Sequence, residues 1–267
     1  MIAQKGYSAF EGGQIHWRMW SPDEPSAPDL YCLHPAPFSG LAFANIAPLL
    51  AQDGRVIAPD YPGYGGSDPL AAEWPTIADY TASIASLVKE LTGDHPIDLL
   101  GFHSGCFVAV EMALRQEVPV RKACLIDVPA MEAETAAKLA DDHQEDVVLN
   151  EDIASLEPVW NSTFVKRLAS QSADQSLAMF AERLRAGRKA NAAFAAAFSY
   201  PWEARFRGFH MPSRVIATQS MLLDATRRAA AALSESELVE RLDITRSVLD
   251  EAAAETASEV LAFLDKA

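Results

Sequence analysis

Two glycines four residues apart, Gly101 and Gly105, lie between a predicted strand and a predicted helix, where the backbone must turn sharply. Before them, the apolar residues 96–100 predict a buried strand, and after them residues 106–115 have the periodicity of a helix. A strand that turns directly into a helix between two glycines holds its central residue in strained backbone, with the side chain exposed above a sheet. The central residue here is His103.

The rest of the chain repeats this alternation of strands and helices. Further strands are predicted at residues 30–34, 55–58, 121–127, 213–218 and 238–244, a hairpin at 7–20, and helices at 43–52, 77–91 and 257–264. This rhythm predicts an α/β fold with a mostly parallel sheet covered by helices on both faces. Residues 129–206 have helical patterns and no convincing strand. We therefore expect a core domain of residues 1–128 and 207–267, with a helical cap at 129–206.

Composition limits the partners. The chain has 267 residues and a net charge of -15, which disfavours nucleic acid and anionic membranes. Its three cysteines lie in apolar segments and fit a reducing compartment. The sequence has neither a signal-peptide pattern nor an apolar run long enough to span a bilayer. We expect a cytoplasmic protein with a small-molecule ligand, and a homodimer stays open.

Three segments carry a resemblance to a known family. Residues 33–40 are similar to an oxyanion-hole loop, residues 56–68 to a strand and glycine-rich turn, and residues 99–106 to a catalytic elbow. In this order and spacing they resemble the α/β-hydrolase superfamily over nearly the whole chain. The resemblance implies the α/β-hydrolase fold with a helical cap inserted after Asp127. It also implies that His34 orders the oxyanion loop, and that the N–H groups of Ala36 and Ser104 form the oxyanion hole.

The catalytic triad of that superfamily is missing from this sequence. The family's order is nucleophile, acid, histidine, and here His103 occupies the nucleophile position. Gln219 and Ser220 stand where the acid is usual, residues 245–247 stand where the histidine is expected, and no histidine follows His210. The elbow is similar to that of a subset of the superfamily that carries Gly-x-His-Thr-Gly.

The remaining chemistry-bearing residues suggest a different site. Asp127 matches a position that carries the acid in some members, where it could orient His103; a loop role is the alternative. Ser104 would offer its backbone N–H and, as an extra donor, its hydroxyl. The spacing of His34 and His103 is not that of metal ligands. We predict neither a metal nor a cofactor. Other histidines (His16, His95, His143) are expected to be solvated or capping, and Cys106 to pack.

Three functional hypotheses follow. In the first, His103 is the general base of an enzyme acting on a small apolar ester or carbonyl compound, by hydrolysis without an acyl-enzyme or by lyase, cyclase or isomerase chemistry. In the second, the protein is an inactive ligand-binding or scaffold protein that keeps the fold. In the third, the elbow is shifted by one residue and Ser104 is the nucleophile of a serine hydrolase.

Overall fold

The computed structural model describes residues 2–148, 150–167, 171–245 and 247–266. The strands in these ranges are β1 (Gln4–Phe10), β2 (Gly13–Trp20), β3 (Asp29–Leu33), β4 (Val56–Pro59), β5 (Ile97–Phe102), β6 (Val120–Ile126), β7 (Ser213–Thr218) and β8 (Ser236–Arg241). They form one sheet in the order β1-β2-β4-β3-β5-β6-β7-β8. β1 and β2 make the predicted antiparallel hairpin at one edge, β2 also pairs antiparallel with β4, and the other neighbours are parallel. The predicted mostly parallel sheet is confirmed.

Helices cover both faces of the sheet, as predicted. The α-helices are α1 (Ala47–Leu50), α2 (Ile77–Leu91), α3 (Gly105–Arg115), α4 (Ala133–Asp142), α5 (Glu157–Trp160), α6 (Ala173–Arg185), α7 (Ala192–Phe198), α8 (Trp202–Arg207), α9 (Leu223–Ala232) and α10 (Ala253–Leu264). Because successive strand residues point to opposite faces, Leu99 packs in the core with α2, α3 and α9, whereas Leu100 packs with α1 and α10.

The segment between β6 and β7 is a helical insertion. Residues 127–212 contribute α4 to α8 and, in their described part, no strand of the sheet. The hydroxyl of Tyr64, in the loop after β4, accepts a hydrogen bond from the Ala193 N–H of α7 at 2.8 Å. The hydroxyl of Tyr200 donates to Glu111 of α3 at 3.0 Å. These contacts tie the insertion to the core at two separate places.

Several elements differ from their prediction. The hairpin begins at Gln4 rather than at residue 7, and α10 begins at Ala253 rather than at residue 257. The single helix expected at 43–52 is a 3-10 helix at Gly40–Phe43 followed by the short α1. Pro48 lies at the start of α1 and has no N–H to donate to the preceding turn, so a continuous helix cannot keep its hydrogen bonds there. β8 begins and ends earlier than expected, at an edge where Leu238 is 41% exposed, so pairing with β7 rather than burial sets its position. No helix of the described ranges is long and apolar enough to cross a bilayer.

The topology brings the elbow to a crevice. β4 and β5 lie on opposite sides of β3, so the direction of strand addition reverses next to the elbow. In open α/β sheets, ligands bind outside the carboxyl ends of the strands at such a point. His34, His103 and Asp127 each follow directly after the carboxyl end of β3, β5 or β6.

Candidate active site at the elbow

The backbone of the elbow is held in a strained conformation. His103 has a φ of 50°, in the left-handed region. Its N–H donates to the Ile126 carbonyl at 3.0 Å, and its carbonyl accepts from the Cys106 N–H at 3.0 Å. A Cβ at Gly105 would lie 2.0 Å from the Leu33 carbonyl oxygen, so only glycine fits this approach of α3 to β3.

The His103 ring is neutral at physiological pH. The side chain is half-buried and lies on the Phe102 ring, with centroids 3.9 Å apart. Burial lowers the pKa of His103 to about 4, and no hydrogen bond to the ring is present in the described part of the chain. A neutral imidazole can accept a proton.

Ser104 occupies the predicted oxyanion region with its side chain. The Ala36 N–H donates to Ser104 Oγ at 2.8 Å, and the serine is only 8% exposed. One lone pair of the hydroxyl is therefore used by Ala36, whereas its own proton is directed elsewhere. The Ala36 N–H that was expected to form the oxyanion hole is therefore already bonded to this hydroxyl. A hydroxyl that accepts a hydrogen bond becomes a better donor.

Asp127 lies at the same sheet edge but is held by β7. Its Oδ1 accepts from the Thr218 N–H at 2.9 Å and its Oδ2 from the Thr218 hydroxyl at 2.6 Å. Burial raises the pKa of Asp127, and hydrogen bonds from Thr218 and Ser220 only partly offset that rise. Among the described residues no hydrogen bond joins Asp127 to His103. An orienting role for Asp127 therefore stays a prediction.

Backbone strain is concentrated at these two positions. Asp127 has a φ of 48°. In the described chain, the non-glycine residues with a positive φ are Asp127, His103 and Gln116. Gln116 is the C-cap of α3, a usual place for this conformation. Each of the other two costs about 1–3 kcal/mol, and strain of this kind clusters at functional sites.

His34 is buried between the oxyanion loop and the glycine-rich turn. Its Nε2 accepts from the Tyr61 N–H at 2.9 Å, so Nδ1 carries the proton and donates to the Pro35 carbonyl at 3.0 Å. Burial lowers the pKa of His34 to about 4. The ring thus orders this loop in its neutral form.

A buried charged cluster that the sequence did not reveal supports the same turn. The expectation that His16 is solvated or capping is wrong, because its ring is buried and Nδ1 lies 2.8 Å from Asp60 Oδ2. Arg18 and the N–H groups of Gly40 and Gly66 also donate to the Asp60 carboxylate, each at 2.8 Å. Burial acts to raise the pKa of Asp60, but these donors outweigh it and lower the pKa.

One cavity opens beside the elbow. It has a volume of about 280 Å³ and is bounded by Pro35 of the oxyanion loop, Phe102 of β5, and residues of α6 and of the loop before α10. A larger groove of about 790 Å³ lies between α4 and α8, but none of its lining residues comes from the elbow or the oxyanion loop. The smaller cavity is therefore the one that adjoins the candidate site.

A family model described as alpha/beta hydrolase family matches residues 30–259. The chain belongs to the alpha/beta hydrolase family. Solved structures agree with the fold: a hydrolase from Pseudomonas aeruginosa is similar with a TM-score of 0.79, at 18% identity and 98% coverage of both chains. The enol-lactonase from Burkholderia xenovorans is similar with a TM-score of 0.75, at 17% identity, covering 98% of this chain and 100% of the other.

A curated relative matches over a shorter stretch. The 3-hydroxybutyrate-oligomer hydrolase of Cupriavidus necator is 32% identical over 100 residues, which are 37% of this chain and 34% of that protein. The chain thus spans about a third of the length of the curated relative it matches.

The family's usual acid and histidine positions carry other residues here. Gln219 follows β7, where the acid is usual, and its N–H donates to the Ile244 carbonyl at 3.0 Å. Of residues 245–247, Arg246 lies outside the described ranges, and Ser247 lines the cavity beside the elbow. Sequence reasoning also missed Arg183 and Ser176, which line that cavity from α6, because helical periodicity does not indicate which cavity a polar residue faces.

Proposed function

We propose that the protein hydrolyses a small ester or lactone by direct attack of water, with His103 as general base and Ser104 as the donor to the carbonyl oxygen. The observation that carries this proposal is the hydrogen bond from the Ala36 N–H to the Ser104 hydroxyl. Ser104 directly follows His103, whose imidazole is neutral. The names of the curated relative and of the similar lactonase support an ester or lactone substrate.

The proposed reaction has two steps. Water attacks the carbonyl carbon and gives a proton to His103, while the negative charge that develops on the carbonyl oxygen is bound by the Ser104 hydroxyl. The tetrahedral intermediate then expels the alcohol, which takes the proton from the imidazolium. A ring of pKa about 4 is a weak base, so we expect a low kcat that does not change with pH above about 5.

Substitutions at the elbow test this proposal. On 4-nitrophenyl butanoate and a short lactone, His103→Ala should lower kcat/KM by about 100-fold or more, and Ser104→Ala by about 10-fold to 100-fold. His210→Ala is the matched control, because that exposed ring precedes β7, at the amino ends of the strands, and bonds Ser234 there. Full activity in His103→Ala would contradict the proposal.

A fluorophosphonate probe separates the nucleophile hypothesis. If water is the attacking group, the probe should not label the protein covalently. Labelling of the wild-type protein that disappears in Ser104→Ala would make Ser104 the nucleophile and overturn the role of His103.

The second candidate function is ligand binding without turnover. It is favoured by the Asp127 carboxylate, which bonds Thr218 rather than the elbow imidazole. If the protein only binds a ligand, no ester or lactone tested should be turned over, and a ligand should raise the melting temperature of the protein.

A further inference from the structure

The cavity beside the elbow contains a cation without an acid partner. Arg183 of α6 lines it, and no carboxylate of the described chain lies within ion-pair distance of that guanidinium. Its closest polar contact is a long hydrogen bond of 3.4 Å to Ser162 Oγ. Burial lowers the pKa of Arg183 with no acid to offset it, yet an arginine stays charged at neutral pH. A partly buried charge of this kind favours an anion.

A second polar group on the same helix lacks a partner. Ser176 also lines the cavity and is only 1% exposed, and its hydroxyl has no hydrogen-bond partner among the described residues. Leaving a buried hydroxyl unsatisfied costs about 1–3 kcal/mol. A ligand atom that accepts a hydrogen bond from the Ser176 hydroxyl would explain why it has no partner in the protein.

The cavity's own carboxylate does not compensate Arg183. Asp250 lines the cavity from the loop before α10, but its oxygens already accept from the Ser247 hydroxyl at 2.7 Å, the Asn45 amide at 3.1 Å and the Gln175 amide. These donors hold the carboxylate where it lies, outside ion-pair distance of Arg183. Arg183 therefore remains available to an anion from outside the protein.

The other walls fit a short hydrocarbon chain. Phe38, Phe102 and Leu249 line the cavity together with Met179. The volume of about 280 Å³ corresponds to roughly nine water molecules. Phe102 is also the ring that lies against His103, so the cavity is one aromatic ring away from the imidazole.

We propose that this cavity binds the carboxylate group of a small aliphatic acid, with Arg183 as the anchoring cation and the Ser176 hydroxyl as a second donor. If the proposed function holds, the substrate is an ester that carries a free carboxylate. Only this statement about the substrate rests on the proposed function. Binding itself requires no turnover, so it is tested separately.

The experiment is calorimetric titration of butanoate into the protein at pH 7 and low salt, with butanamide as the uncharged analogue. We expect saturable binding of butanoate and none of butanamide over the same range. Arg183→Gln should weaken binding about 10-fold or more, as expected for loss of a charged hydrogen bond, and Arg183→Lys should weaken it less. Arg185→Gln is the matched control, because it removes the same charge from an exposed position of the same helix.

Ser176→Ala keeps the test valid if Arg183→Gln fails to fold. Removal of an unpartnered hydroxyl should not destabilise the protein, so a several-fold loss of butanoate affinity at an unchanged melting temperature supports the proposal. No saturable binding to the wild-type protein, equal binding of butanamide, or an equal loss in Arg185→Gln overturns it.

His103→Ala separates this inference from the proposed function. Unchanged butanoate binding in that variant, together with unchanged ester hydrolysis, would reject His103 as the base and leave the carboxylate site standing. Hydrolysis that depends on His103, without any butanoate binding, would keep His103 as the base and reject the carboxylate site.

Discussion

Asp60 is a buried carboxylate on which several parts of the core converge. It accepts hydrogen bonds from Arg18 and His16 of β2 and from the N–H groups of Gly40 and Gly66. The two side-chain partners lie 42 and 44 residues away in the sequence, and no spacing pattern predicts that they meet. The glycine-rich turn itself was predicted, because its residue types need no distant partner.

Replacing Asp60 with Asn should destabilise the fold strongly. The variant leaves the Arg18 guanidinium buried without its counter-ion, and loss of one member of a buried pair costs about 3–5 kcal/mol. Urea denaturation measures the change in the free energy of unfolding. Asp68→Asn is the control from the same turn, where an exposed carboxylate accepts only from the Gln14 N–H at 3.0 Å. Equal stability of the two variants would contradict a charged role for Asp60.

His34 should make the stability fall in acid. In the folded protein the pKa of His34 is lowered to about 4, against about 6.5 in an unfolded chain. The contribution of the neutral ring is therefore complete above pH 6.5 and is lost as the pH falls towards 4, because only the unfolded state takes up the proton in that window. The loss should reach about 3 kcal/mol.

Unfolding free energies of the wild type and His34→Gln between pH 4 and 7 check this. We expect a smaller slope against pH in the variant, because glutamine does not titrate. His210→Gln, which changes an exposed ring, should keep the wild-type slope. Identical slopes in all three proteins would show that His34 is not held neutral.

At the scale of elements, regular periodicity and caps were the reliable signals. α2 has the predicted bounds, and its first turn is fixed by a capping box between Thr76 and Asp79. β7 also has its predicted bounds because it is buried throughout. The predictions were less accurate where burial was weak, as at β8, or where a proline interrupted the pattern, as at α1. The bonding of Asp127 depends on the position of Thr218, 91 residues away, which sequence alone could not supply.

The elbow should not tolerate a methyl group at Gly105. An added Cβ would lie 2.0 Å from the Leu33 carbonyl oxygen, which is backbone of the central strand and cannot move aside. Overpacking of this kind costs about 1–3 kcal/mol. Thermal unfolding of Gly105→Ala should therefore show a melting temperature several degrees below that of Gly208→Ala, where the nearest atom to an added Cβ is 3.5 Å away. The opposite ranking would mean that α3 can move away from β3.

At the scale of the whole molecule, a few polar contacts between distant residues fix the helical insertion on the core. Glu111 accepts from Tyr200 and forms an ion pair with Arg205 at 2.7 Å. Tyr64 donates to the Ala190 carbonyl at 3.2 Å and accepts from the Ala193 N–H. The same insertion carries Arg183, so its position determines whether the cavity beside the elbow exists. Helical patterns predicted helices in this segment but not the contacts that hold them.

Tyr64→Phe should loosen the insertion without unfolding the sheet. The variant keeps the buried ring but leaves the Ala193 N–H, in the first turn of α7, without its acceptor, at a cost of about 1–3 kcal/mol. Hydrogen exchange followed by mass spectrometry should then show faster exchange in peptides covering α7, and unchanged exchange in peptides covering β5 and β6. Tyr7→Phe is the control, because that side chain is 55% exposed on the edge strand. Unchanged exchange at α7 would mean that the apolar contacts of the insertion hold it without this hydroxyl. In a loosened insertion the affinity for butanoate should fall as well, since Arg183 would no longer be held in the wall of the cavity beside the elbow.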